Sequence, residues 1–284
     1  MKGFACCPPA GGSYGSARFY LVSGLGIAFS LGLTLYFCFS MAGGMDMPGG
    51  WRMSMMWMKM PGQSWMESTG MFLATWLSMM VAMMLPSVMF KLLLFYRSLV
   101  WKRADHPGLS TFLVGAGYFL VWTALGAGVY VLGIPWALAA MRYAELSRAV
   151  PFLTGAALIL SGLYQFSRWK EQGLASCRRP IVYGYIPKRG RKPKPKKDQP
   201  EIIEDEGIRN CLRQGFRQGF HCSGCCAGSM LTLVALGAMN LFVMLAVALV
   251  IALEKLLPRP QGMVKFSGFL AIALGVSLIV RSIL

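Results

Sequence analysis

Charged side chains are scarce in this sequence: they make up 14% of its 284 residues, while 56% are hydrophobic. Such a composition excludes an ordinary soluble globular core and points to a membrane chain. Acidic residues are the scarcer charged type, 11 against 28 basic ones. No spaced carboxylate pair, nucleophile–base set or phosphate-binding glycine loop is present, so the chain reads as a non-enzyme. The polar start is followed by a long apolar run without a cleavage-type segment, so no cleaved signal peptide is expected. Cys6-Cys7-Pro8-Pro9 has no apolar stretch before it and does not read as a lipoprotein signal. The basic residues lack interleaved aromatics and a recognition module, so no nucleic-acid partner is expected.

Apolar runs of spanning length are what the sequence has instead. Six are read, at 18–40, 70–95, 110–133, 150–168, 227–253 and 263–282. The expected fold is all-α, a polytopic membrane bundle of about six transmembrane helices. Residues 1–17 form a cytoplasmic N-terminal segment and 18–40 the first helix. Residues 41–69 form a Met/Trp-rich external loop, and 70–168 carry helices two to four. Residues 169–226 form a basic cytoplasmic loop ending in a cysteine cluster, and 227–284 carry helices five and six. Orientation comes from Lys91, Arg97, Lys102 and Arg103 around the second connection. The fourth connection carries a run from Lys188 to Lys197. Basic loops stay inside, which puts both termini in the cytoplasm of a bacterial inner membrane. The lipid bilayer is the first expected partner, and the basic run is also suited to anionic headgroups.

His221-Cys222-Ser223-Gly224-Cys225-Cys226 carries the most specific chemistry. Cys222, Cys225 and Cys226 fall at i, i+3 and i+4, one face of a helix. Thiolates are soft ligands that select Cu(I), zinc and iron–sulfur centres. His221 and Cys177 are candidate auxiliary ligands, and Cys211 is an alternative to Cys177. A reducing cytoplasm agrees with free thiols at this place. Unligated thiols at a helix start are the competing reading.

Methionine is the other soft donor, with 21 copies. Met45, Met47, Met53, Met55 and Met56 lie between the first two spans, together with Trp51, Trp57 and Trp65. They read either as an interfacial segment or as an external capture surface for Cu(I). Met79, Met80, Met83 and Met84 form one face of the second span, with Pro86 and Ser87 behind them. Packing is the default for such a stripe. In the fifth span Asn240 lies five helical turns beyond Cys222, and Met244 lies above Cys226. An intramembrane amide is costly unless it is bonded, so Asn240 is expected inside the bundle near Met83. Met79, Met80, Met83, Asn240 and Met244 are thus candidates for a relay between the outer methionines and the inner thiols.

Several stretches, in order, resemble motifs of one bacterial membrane family. They are Ala82-Met83-Met84-Leu85-Pro86-Ser87, Gly117-Tyr118-Phe119-Leu120-Val121-Trp122, Gly162-Leu163-Tyr164-Gln165 and Cys177-Arg178-Arg179-Pro180. Gly215 through Cys226, Gly237-Ala238-Met239-Asn240-Leu241 and Glu254-Lys255-Leu256-Leu257-Pro258 continue the series. The family is described as predicted metal-binding integral membrane proteins, sometimes labelled copper chaperones. The resemblance spans roughly residues 70–280 and implies membrane location and a metal role without an established reaction. Its C-x-x-x-C pair before Arg-x-Pro is incomplete here, because Gly173 stands at the first position and only Cys177 remains.

The leading function is therefore binding of Cu(I), the expected metal, for transport or for delivery to a copper-dependent membrane enzyme. Zinc is the second metal this donor set admits. The competing reading is an accessory or structural subunit of a larger membrane complex, with no metal of its own. A thiol–disulfide oxidoreductase is disfavoured, since the C-x-x-C lacks a thioredoxin-like context.

Overall fold

The computed structural model describes residues 13–40, 43–54, 57, 62–179, 181–183, 201–203, 207–237, 240–257 and 260–283. Among these, eight helices carry the fold: α1 Ser13–Ser40, α2 Trp65–Trp101, α3 Pro107–Arg142, α4 Ala144–Gln165, α5 Arg168–Cys177, α6 Ile208–Leu236, α7 Leu241–Leu256 and α8 Gln261–Ile283. Six of them are long and apolar enough to cross a membrane: α2, α3, α4 and α6 over their whole length, α1 over Phe19–Ser40 and α8 over Gln261–Ser282. Two small sheets complete the fold: antiparallel β1 Gly44–Met47 with β2 Trp51–Ser54, and parallel β3 Ile181–Tyr183 with β4 Glu201–Ile203. The expected all-α helical bundle is observed.

Local sequence chooses the helix starts. Ser64 opens α2 with a capping box: its Oγ accepts from Glu67 N at 3.2 Å, and Glu67 Oε2 accepts from Ser64 N at 2.9 Å. Pro107 stands in the first turn of α3, where its missing N–H costs nothing. Ser167 caps α5 by accepting from Lys170 N at 3.2 Å.

Close approaches set the helix directions. Phe19 stacks on Tyr96 and Thr34 bonds Ser78, so α1 and α2 run antiparallel. Tyr130 donates to Ser68 at 3.1 Å and Trp76 Nε1 donates to Trp122 O at 3.0 Å, so α2 and α3 also oppose. Along α3 and α6, Val114 meets Gly215 and Val121 meets Gly219, a parallel pair. Ser161 donates to Gly228 O at 2.7 Å and Tyr164 to Gly224 O at 2.6 Å, setting α4 against α6. Gly155 meets Gly275 and Gly162 meets Gly268, so α8 runs against α4 on small-residue faces.

Gly117 and Gly215 are the tightest point of the α3–α6 contact. A Cβ on Gly117 would stand 2.6 Å from Leu212 O, and one on Gly215 would press on the Val114 carbonyl. Backbone cannot yield as a side-chain tip does. Gly215→Val is therefore expected to cost at least about 1–3 kcal/mol. Gly128→Val, with nothing within 4 Å of its added Cβ, is the control. Thermal unfolding in detergent compares them, and equal midpoints would contradict the packing account.

One expected span divides in two. The region 227–253 is not one helix: α6 starts at Ile208, so the thiols lie in mid-helix, and it ends at Leu236. Gly237 then takes a positive φ of 101° that favours glycine. Asn240 is exposed and caps α7, its Oδ1 accepting from Phe242 N at 3.1 Å and Val243 N at 3.3 Å. From Cys222 to Leu236 is 236 − 222 = 14 residues, and from Leu241 to Lys255 is 255 − 241 = 14. Each run is about 21 Å of helix, so α7 returns to the level of the cysteines. This hairpin adds a reversal. The described ends Ser13 and Ile283 consequently lie at opposite ends of the bundle, not on one side as expected.

The other loop expectations shift as well. Residues 169–226 are not one loop, since they hold α5 and the first half of α6. The segment between α1 and α2 holds the β1–β2 hairpin, with Met45 opposite Met53. Trp51 Nε1 donates to Ser147 O at 2.9 Å and Ser147 Oγ donates to Pro48 O at 2.7 Å, fixing the hairpin against the start of α4. That end lies away from the cysteines. The run 188–197 lies outside the described residues.

Candidate metal centre

Four thiols from two helices converge in the core. Cys222, Cys225 and Cys226 share one face of α6, and each is 1% exposed. Cys177 is the last residue of α5 and is buried beside them. The sulfurs of Cys177, Cys222 and Cys225 lie within 4.8 Å of one another. Cys226 Sγ stands 3.5 Å from Cys225 Sγ and 4.0 Å from Cys222 Sγ. All four are free thiols. Hydrogen bonding to Cys222 raises the Cys177 thiol above its ordinary range, and burial adds to the rise.

The packing of α5 on α6 makes this group. Gln218 Nε2 donates to Cys177 O at 3.4 Å. Lys170 Nζ, near the start of α5, bonds Glu254 Oε2 of α7 at 2.6 Å, with the two side chains 1% and 3% exposed. Ser267 of α8 donates to Glu254 Oε1 at 3.2 Å, so one buried ion pair joins three helices. Gly173 lies against Cys225, its added Cβ 3.3 Å from the Cys225 Cβ. Position 173, where the family resemblance implies a further cysteine, thus faces the cluster, and here it is glycine and supplies no ligand.

Cys222 is the most connected thiol. The Tyr118 hydroxyl lies 3.0 Å from its sulfur. Lys255 Nζ donates to the same sulfur at 3.1 Å and to Ser87 Oγ at 3.3 Å, and it lies 3.6 Å from Met84 Sδ. A fixed ammonium beside a thiolate offsets its charge where water is scarce. Sequence reasoning missed Lys255 and Tyr118 at this place. Their signal was a lysine and an acid ending an apolar run, which reads as a membrane boundary until the α6–α7 hairpin brings it back to Cys222. Ser87 Oγ donates to Met84 O at 2.9 Å, one turn back on α2.

The remaining candidates divide. His221 is half-buried beside Cys222 and outside the three-sulfur group, as is buried Cys211. Met79, Met80, Met83 and Met244 are buried in the same apolar cluster as the cysteines. Asn240 is not with them: the end of α6 before it leaves it exposed as the N-cap of α7. Met47 and Met53 pack with Ala137 and Ala140 in a separate small cluster, while Met45 is exposed. Met55 and Met56 lie outside the described residues.

The fold and site together define a class: a bundle of apolar, membrane-length helices enclosing a buried cysteine group that is able to hold a metal ion. Residues 73–278 match the family described as PpoB2, copper chaperone. The match covers most of the sequence, and the chain belongs to that family. No curated protein and no solved structure matches it.

Proposed function

We propose that this chain binds Cu(I) at Cys177, Cys222 and Cys225 and delivers it to a copper-dependent membrane enzyme. The observation that supports this reading is the three buried sulfurs within 4.8 Å of one another. Copper(I) is soft, accepts low coordination by sulfur and needs no hard carboxylate, which this cluster lacks. Cys226 is a neighbouring thiol to which the ion passes on release, and the Met84 thioether flanks Lys255. With two of the three cysteines as thiolates and the third as a neutral thiol, the Cu(I) site carries a net charge of −1, which the Lys255 ammonium beside Cys222 balances.

The protein on this reading sits in a bacterial inner membrane. Lys102 and Arg103 follow α2, and Arg209, Arg213 and Arg217 lie in the first half of α6, at the bundle end where α1 begins. By the positive-inside bias that end is cytoplasmic, which keeps the thiols reduced. The far end of α8 is then external.

Metal titration tests the reading. Purified chain, reduced and freed of metal, is expected to take up one Cu(I) per molecule and to keep it against a tenfold excess of zinc. Uptake of zinc in preference to copper, or of neither, would contradict it.

A further inference from the structure

One member of the cysteine group, Cys177, lines a cleft. The cleft, of about 240 Å³, lies between the ends of α5 and α7 and the flank of α2. Ser87, Lys91, Arg178 and Lys255 supply its polar wall. Three of those groups are cationic, and none of the described lining residues is acidic. The nearest carboxylate in sequence, Glu254, is bonded to Lys170 and Ser267. Arg178 itself donates to Leu257 O, which holds the guanidinium at the junction of α5 and α7.

This lining is unsuited to a bare cation. A free Cu⁺ approaching Cys177 would pass three like charges in a cleft bounded by apolar walls, where water screens them poorly. It suits an anion. The volume accommodates a small molecule rather than a folded donor domain. Arginine and lysine at a mouth of this kind recognise carboxylate, arginine through its planar fork.

Building on the copper reading, we propose that the cleft admits copper as an anionic Cu(I) complex of a small carboxylate-bearing thiol. Lys91 and Arg178 hold the carboxylates, and Cys177, the thiol in the cleft wall, makes the first exchange. Each donor sulfur–copper bond that breaks is replaced by one cysteine sulfur–copper bond. Each cysteine proton passes to the departing thiolate, and copper stays Cu(I) throughout. The charge of the two-thiolate copper unit is −1 before and after transfer, and the Lys255 ammonium beside Cys222 balances it once the copper is bound.

Donor charge tests this directly. Full-length chain in detergent receives Cu(I) as its complex with 3-mercaptopropionate, which is anionic, or with cysteamine, which is cationic, at equal thiol concentration. Loading is followed as the copper content of the chain after rapid separation from the donor by gel filtration at successive times. The expected result is loading about tenfold or more faster from the mercaptopropionate complex. The difference should shrink as salt is raised. In Lys91→Glu/Arg178→Glu the ranking should invert. Equal rates from the two donors in the unaltered chain, or a preference insensitive to salt, would overturn the proposal even if the double variant does not fold. Loading from neither donor would overturn the copper reading itself, whereas loading from both at one rate rejects only the anionic route.

Discussion

Cys222→Ser lowers Cu(I) affinity more than about 100-fold while the helices still assemble. Removal of groups that merely orient a ligand costs 10–100-fold, and Cys222 is itself a ligand in this account. Its sulfur stands 4.0 Å from Cys226 Sγ, 3.0 Å from the Tyr118 hydroxyl and 3.1 Å from Lys255 Nζ. Serine offers a hard oxygen to a soft ion. It still accepts from Lys255 and still bonds Tyr118, so the fold should lose only about 1 kcal/mol. Competition against a coloured Cu(I) chelator reads the affinity, and thermal unfolding reads the fold. Cys211→Ser is the control, since Cys211 is a buried thiol on the same helix outside the three-sulfur group. Equal affinities for the two variants would contradict the assignment.

Lys170→Met should destabilise the protein by about 3–5 kcal/mol, because it strands a buried carboxylate. Lys170 and Glu254 are 1% and 3% exposed and 2.6 Å apart. Ser267 alone cannot satisfy Glu254 once its cation is gone. The double variant Lys170→Met/Glu254→Gln removes both charges and should recover most of the loss. The pair also fixes the site. Lys170 shares α5 with Cys177, and Glu254 precedes Lys255 on α7, so breaking it releases two of the groups around Cys222. Denaturant unfolding in detergent measures the effect. A loss under about 1 kcal/mol in the single variant, or no recovery in the double, would show that the pair does not hold these helices.

The helical bundle and the thiol face were legible in the sequence because each rests on short-range periodicity. Spanning runs declare themselves by length, and Cys222, Cys225 and Cys226 declare their common face by spacing. Cys177 was legible only as one of two options. It lies 222 − 177 = 45 residues away and is selected over Cys211 by the docking of α5, which no local pattern encodes. Lys255 was hidden for a related reason. Its approach to Cys222 depends on the reversal at Gly237, and a glycine within an apolar run reads as a tolerated helix residue. The signal was nevertheless present: a glycine followed by Asn240 just before a new apolar run is a helix stop and an N-cap. Reading Asn240 as a buried amide instead placed it in mid-bundle and left out the reversal before α7. The Met stripe of α2 was read correctly as a buried face, since Met79, Met80, Met83 and Met84 all lie in the core.

The most direct measurement of the central claim is X-ray absorption at the copper edge on the purified chain loaded with one Cu(I). The account predicts a first shell of sulfur alone, from two or three thiolates, which is lost in Cys177→Ser/Cys222→Ser/Cys225→Ser. A shell containing nitrogen or oxygen, or a sulfur shell that survives the triple variant, would contradict it.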